Sequence, residues 1–402
     1  MKDTKHLAQI IEEMKQKGLY NTAKIVESAQ GAYLTVSGKK YLNLCSNNYL
    51  GMASDSRLKA AAIRAIEKHG VGTASVRSLI GTNSLHIELE QKLTDFKHAE
   101  AALVVTGGYL ANMAAIQTLL DKEDIVISDE LNHASIIDAI RLAGVRNKFI
   151  YKHADVADLE GQLPEIQKLQ AVKKSNGESR NTMIVTDGVF SMDGDIAPLP
   201  ALVKIANTLH AYLMVDDAHG EGVLGEQGRG IVDHFKLHGE VDIEVGTLSK
   251  AFGVLGGFIT GKKDLIEYYR QKARQFLFTN ALSIPDTAAL IEAVNIMSES
   301  DERVKQVWKN TEFLKSHLQK EGFNTGNSQT PITPIMLGDE NLAKEFASQL
   351  YSEGVLVSAI KFPMVPLGKA RLRLIPSAIH TEKHLRFGID KIGAIGKKLG
   401  VV

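Results

Sequence analysis

A chain of 402 residues is too long for one small core, so two packed lobes are expected. It is 44% apolar and 23% charged, and its 47 Lys plus Arg balance 47 Asp plus Glu, which speaks against a nucleic-acid or membrane-surface partner. Its one cysteine, Cys45, excludes an intrachain disulfide and a cysteine-built zinc site; with no apolar run near the ~20 residues of a membrane span and no signal-peptide core, a cytoplasmic location is expected.

The opening residues, "MKDTKHLAQIIEEMKQKGLY", predict an amphipathic helix and "AYLTVSGKKYLNL" short strands, an N-terminal segment over residues 1–50. A helical pattern from about residue 58 to "EKHG" and another over "HIELEQKLTDFKHA" lead into the apolar strand "AALVV". Buried strands rich in β-branched residues follow at "DIVISD", "KFIYK", "TMIVTDG", "AYLMVDDA", "DIEVGT" and "GGFITG". Helical patterns such as "ASIIDAIRLAG" and "LPALVKIANTLH" separate most of them. This alternation predicts an α/β domain over residues 51–290, a mostly parallel central sheet with helices on both faces. Its ligand site would lie at the carboxyl ends of the strands. Beyond residue 290, two long helical segments precede a smaller set of strands ("TPITPIML", "GVLVSAI", "ARLRLI") and helices, a small C-terminal α+β domain over residues 291–402.

Polar groups collect where the predicted strands end. "TGGYLAN" after "AALVV" is a glycine turn opening a helix, whose free N–H groups suit a phosphate; a plain strand-to-helix turn would read the same way. His133 follows one strand, Ser191 another, and "AYLMVDDAHG" ends in Asp216, Asp217 and His219. Asp216 directly follows an apolar run, and a buried carboxylate needs a cationic partner. Asp217 could simply cap a turn, and His86 and His98 read as ordinary surface or core histidines. In "VDIEVGTLSKAFGVLGG", Lys250 stands where an apolar strand gives way to small residues, a setting for a lysine that must reach a bound electrophile. "GEGVLG" at 220–225 fits the dinucleotide pattern but continues into "EQGRG" without a clear helix, which leaves a nicotinamide-dependent dehydrogenase as the competing class. "HIE" at 86–88 matches part of a zinc-deaminase motif, but one cysteine cannot complete it.

Taken together, "NNYLG", "TGGYLAN", "DELNHASIIDAIRLAG", "TDGVFSMDGD", "VDDAHGEGVLGEQGRG", "TLSKAFG" and "VPLGKARLRLIPSAIHT" resemble the α-oxoamine synthases, over essentially the whole chain. These are fold-type I enzymes of pyridoxal 5'-phosphate (PLP), aspartate aminotransferase-like in fold, that join an amino acid to an acyl-coenzyme A. The resemblance implies that Lys250 carries the cofactor covalently and moves the substrate proton, and that Asp216 keeps the pyridine nitrogen protonated. It implies that His219 and Ser191 meet the ring hydroxyl oxygen and that His133 stacks on the ring and faces the substrate. Gly108, Tyr109 and Thr247 would hold the phosphate, with Thr279 and Asn280 added from a second subunit, so a homodimer with shared sites is implied. Asn47 and Arg373 match positions that contact the amino acid; by chemistry alone Arg371, two residues earlier, competes with Arg373 for a carboxylate.

"GTASVRSLIGTNSLHIELE" and "ELNHASIIDAIRLAG" read most like glycine C-acetyltransferase, also called 2-amino-3-ketobutyrate coenzyme A ligase, so glycine and acetyl-CoA are the expected substrates. The alternatives are 8-amino-7-oxononanoate synthase, which uses alanine and pimeloyl-CoA, and a synthase of broad specificity.

Overall fold

Each apolar run expected between residues 101 and 261 is a strand in the computed structural model, which describes residues 4–16, 20 and 22–402. The chain opens with α1 (Lys5–Gln16), β1 (Tyr33–Val36), β2 (Lys39–Asn43), α2 (Ser56–His69) and α3 (Ser84–Lys97). The alternating stretch is β3 (Ala101–Val105), α4 (Gly108–Leu119), β4 (Ile125–Asp129), α5 (Ala134–Ala143), β5 (Asn147–Tyr151), α6 (Val156–Gln170), β6 (Thr182–Asp187), α7 (Leu199–Leu209), β7 (Tyr212–Asp216), α8 (Ile231–His234), β8 (Ile243–Thr247) and β9 (Gly257–Gly261). Then come α9 (Lys263–Lys272), α10 (Arg274–Leu277), α11 (Ile284–Glu299), α12 (Glu302–Lys320), β10 (Thr333–Gly338), α13 (Glu340–Ser352), β11 (Val355–Leu356), β12 (Ser358–Ile360), β13 (Ala370–Leu374) and α14 (Glu382–Lys398).

The central sheet has seven strands in the order β3-β9-β8-β7-β6-β4-β5. All run parallel except β9, which is antiparallel to both its neighbours. The loop over 248–256 is too short for the crossover helix a parallel pairing requires, so the chain turns back beside β8. Side chains alternate across the sheet. Ile125, Ile127, Ile184, Leu213 and Val215 enter one core, with α3, α7 and α11. Val126, Met183, Val185 and Met214 enter the opposite one, with α4 and α5. The sheet is thus covered on both faces, as a fold-type I PLP transferase requires.

Two details differ from the sequence reading. Strand β5 is not buried throughout but alternates, with Lys148 and Ile150 outward, because it is the sheet's last strand. The opening helix, expected over residues 1–20, falls partly outside the described residues; its described part, α1, buries none of its side chains.

Residues near both ends of the chain share a second unit. Strand β2 pairs in parallel with β11, and Leu42 and Leu44 pack with Leu314, Phe346 and Leu372. A further small sheet has the order β10-β13-β12. It carries Arg373 toward the large sheet, where its guanidinium reaches the carbonyl of Ser191. Among the described residues, no helix is long and apolar enough to cross a membrane.

Candidate active site

Because β3, β4, β6, β7 and β8 run the same way, their carboxyl ends share one edge of the sheet. The residues that follow them enclose a cavity of about 270 Å³, lined by Gly108, Tyr109, His133, Ser191, Asp216, His219, Thr247 and Lys250. Eight of the sequence-expected site residues therefore meet around one space. A wider groove of about 1050 Å³ runs beside α12 but contains none of these strand-end groups, so the smaller cavity is the candidate site.

One end of the cavity suits an anion. Gly107 caps α4 without a side-chain hydrogen bond, so the first N–H groups of this 12-residue helix are open to a ligand. Close approach depends on two glycines. A Cβ at Gly108 would stand 3.0 Å from Thr247 Oγ1, and one at Gly257 would stand 2.6 Å from the Gly107 carbonyl carbon. Backbone amides and the Thr247 hydroxyl are thus held within one small region, as a phosphate requires.

The acid and the histidines are held from behind. Asp216 Oδ2 accepts a hydrogen bond from Asn112 Nδ2 at 2.5 Å, and its Oδ1 accepts the N–H of Ala218 at 3.0 Å. Asn112 also donates to Ser135 Oγ at 2.8 Å. His133 caps α5, its Nδ1 accepting the Ser135 N–H at 3.2 Å and lying 2.6 Å from Ser135 Oγ. Burial holds the His133 pKa below its usual value; Asp216 opposes that shift and Lys250 adds to it. His219 is driven well below the usual histidine range by burial, then by Lys250 and Arg373, so it is neutral. Its Nδ1 lies 2.7 Å from Tyr49 Oη, and burial holds that phenol in its protonated form. With the Tyr49 hydroxyl donating to Nδ1, the Nε2–H of His219 is left for a ligand oxygen; the opposite tautomer would leave Nε2 an acceptor.

Lys250 Nζ has no hydrogen bond or ion pair among the described residues. Burial lowers its pKa against the pull of Asp216, Asp187 and Glu221, and Arg373 adds to the lowering. An amine so placed loses its proton easily and is a nucleophile. The two arginines of β13 differ in the same telling way. Arg371 forms an ion pair with Asp193 and donates to the Lys369 carbonyl at 2.9 and 3.0 Å. Among the described residues Arg373 donates only to the Ser191 carbonyl, at 3.0 Å, and its Nε is buried without a partner. Arg373 is thus the cation still able to take a carboxylate. Asn47 Oδ1 is also buried without a partner.

These groups fit PLP. Open amides and a hydroxyl match its phosphate, the Asp216 carboxylate matches a protonated ring nitrogen, the His219 N–H matches the ring hydroxyl oxygen, and the free Lys250 amine matches the aldehyde. Four expected residues do not line the cavity: Asn47, Arg373, Thr279 and Asn280. Asn280 is exposed on its own chain and bridges to Val76. The sequence reading missed Asn112, Ser135, Asp187 and Ser249, which line the cavity, and Tyr49 behind it. Asn112 had a legible signal, a single amide side chain in the apolar run "YLANMAAI" one helical turn after Gly108. The dinucleotide-like 220–225 run leads into a 3-10 turn at Glu226–Gly228 rather than an α-helix, so this run offers no helix N-terminus to a pyrophosphate.

A family model described as aminotransferase class I and II matches residues 39–392. The chain is 54% identical over 402 residues to the 8-amino-7-oxononanoate synthase of Thermosipho melanesiensis, covering 100% of both. It is 53% identical over 399 residues to that of Fervidobacterium nodosum, covering 99% of both. Its structure matches serine palmitoyltransferase from S. paucimobilis with bound PLP, at a TM-score of 0.90 and 31% identity, over 99% of this chain and 98% of that one. It also matches 8-amino-7-oxononanoate synthase from Francisella tularensis, at a TM-score of 0.73 and 27% identity, over 89% of this chain and 98% of that one.

The relatives correct the expected substrates. Glycine with acetyl-CoA gives way, because four relatives 49% to 54% identical over nearly the whole chain are named 8-amino-7-oxononanoate synthase. Arg77 of "GTASVRSLIGT" is bound to Glu90 and Thr82, each at 3.0 Å, and does not line the cavity of its own chain. In "ELNHASIIDAIRLAG", Ile136, Ala139 and Ile140 belong to the core.

Proposed function

We propose that this chain, which belongs to the aminotransferase class I and II family and within it to the α-oxoamine synthases, joins alanine to pimeloyl-CoA as an 8-amino-7-oxononanoate synthase. The observation that carries this reading is the 54% identity, over both full lengths, to a relative of that name. The enzyme is a PLP-dependent acyltransferase, and an amino acid and an acyl-CoA are its substrates.

When bound, PLP supplies an electron sink that stabilises negative charge at the amino acid's α-carbon. The chain's own groups do the rest. Lys250 would hold the cofactor through Nζ, and the same Nζ, once free, would take the α-proton. Asp216, steadied by Asn112, holds the proton on the ring nitrogen. His133 would lie against the ring, while His219 and Ser191 would meet its hydroxyl oxygen. The α4 N-terminus at Gly108 and Tyr109, with Thr247, holds the phosphate, and Thr279 and Asn280 do so in the site of a second copy. Arg373 and Asn47 bind the alanine carboxylate. The alanine α-carbon then bonds to the thioester carbonyl carbon as the C–S bond breaks and coenzyme A leaves as the thiol, and the alanine carboxylate departs as carbon dioxide, which leaves the nine-carbon product.

The test is coenzyme A release with alanine or glycine, each paired with pimeloyl- or acetyl-CoA. Preference for alanine with pimeloyl-CoA is expected. Preference for glycine with acetyl-CoA would overturn the assignment, and comparable rates with all pairs would replace it with a synthase of broad specificity.

A further inference from the structure

The cavity contains one acid to which no role has been given. Asp187 ends β6 beside Asp216 at the end of β7, the two paired in register on neighbouring strands. It is 5% exposed, lines the cavity, and its Oδ1 is buried without a hydrogen-bond partner. Its backbone is clamped, since its N–H donates to Asn132 Oδ1 at 2.7 Å while Asn132 Nδ2 donates to the Val185 carbonyl at 2.8 Å and to Ser128 Oγ at 2.9 Å. The backbone N–H of the next residue, His133, faces the Asp187 carboxyl group and favours its charged form. Side chain and main chain of the 132–133 turn are thus both tied to residue 187.

We infer that Asp187 is a positioning residue of the acyl-transfer site, which holds the 132–133 turn, and with it the His133 imidazole, in place over the bound cofactor. A carboxyl group this deeply buried, with one oxygen unpaired, is retained at a cost to the fold. A role confined to the empty protein would not require it, because an apolar side chain would fill the same space without that cost. The unpaired oxygen therefore gains its partner when the cavity is filled. Burial, and then the neighbouring Asp216 carboxylate, raise the Asp187 pKa well above the usual carboxylate range, with the His133 N–H, Lys250 and Asp129 acting as the smaller influences. Such a carboxyl group can accept the His133 N–H through one oxygen and, when protonated, donate through the other. A carboxamide can do the same; an alanine or leucine can do neither.

The inference rests on the cofactor site proposed above, and its test reads that site without substrate. The circular-dichroism band of bound PLP reports how the ring is held, so it is measured on the holoenzyme with Asp187→Ala, Asp187→Leu and Asp187→Asn. Thermal midpoints confirm that each variant is folded. Ala and Leu should change the band and lower turnover of alanine with pimeloyl-CoA about 100-fold, the scale of a misplaced catalytic group. Asn should recover most of both losses. The inference is overturned if a folded Ala or Leu variant keeps the band and the turnover, or if Asn loses as much as Ala. If the unaltered protein does not use this substrate pair, the function above is wrong, while the band still decides the role of Asp187.

Discussion

Lys97 and Lys250 are both withdrawn from solvent, and their neighbours send them in opposite directions. Lys97 Nζ lies 3.0 Å from Glu244, 3.4 Å from Asp217 and 3.6 Å from Glu221, and although burial works against its charge these carboxylates raise its pKa. Lys250 has no such contact, and burial prevails. One amine stores charge; the other is free to react. The same comparison separates Arg371, neutralised by Asp193, from Arg373. Arg373→Leu should raise the KM for alanine about 100-fold, the roughly 3 kcal/mol of a lost charge-assisted carboxylate contact, and leave the KM for pimeloyl-CoA nearly unchanged. Steady-state kinetics with each substrate varied would settle this, and equal increases in both would count against Arg373 as the carboxylate ligand.

Elements meet at the site through charged links as well as through core contacts. His153, just past β5, lies 3.1 Å from Asp129 at the end of β4 and 2.8 Å from Asp195 in the loop after β6. Burial works against its charge, but the two carboxylates outweigh it and raise its pKa from 6.5 to about 10. The folded state thus binds this proton more tightly than the unfolded chain. The resulting stability is complete below pH 6.5 and is lost as pH rises toward about 10. The urea midpoint should therefore fall across that window, and His153→Gln, which cannot be charged, should show a flatter slope. An unchanged slope would mean the link contributes nothing to stability.

At the scale of the whole molecule, one buried cluster joins distant parts of the chain. Lys97 ends α3, Asp217 and Glu221 follow β7, and Glu244 belongs to β8, while Glu221 also accepts the Thr247 N–H at 3.2 Å. The cluster thus supports the turn that bears Thr247 and the lysine beyond it. Three acids share one cation, and burial, opposed chiefly by Lys97, raises the Asp217 pKa to about 7. Lys97→Met would leave those acids without a counter-charge and should cost about 3–5 kcal/mol of stability. Because protonation relieves buried acids, the loss should be greater at pH 8 than at pH 5. Denaturant titration at those two values tests this, and an equal loss at both would show that the cost is one of packing rather than of charge.

Much of this was legible in the sequence. β-Branched runs separated by helical repeats determined the sheet and its two covers, because side-chain alternation is a local property. The same order of strands announced Asp216, His219, His133 and Lys250, since each stands just beyond an apolar run. Tertiary structure alone decided the rest. That Asn112 steadies Asp216, that Tyr49 meets Nδ1 of His219, and that Arg373 rather than Arg371 lacks a carboxylate partner all depend on contacts between residues far apart in the chain. Local pattern specifies which face a residue occupies; only the folded chain specifies what it meets there.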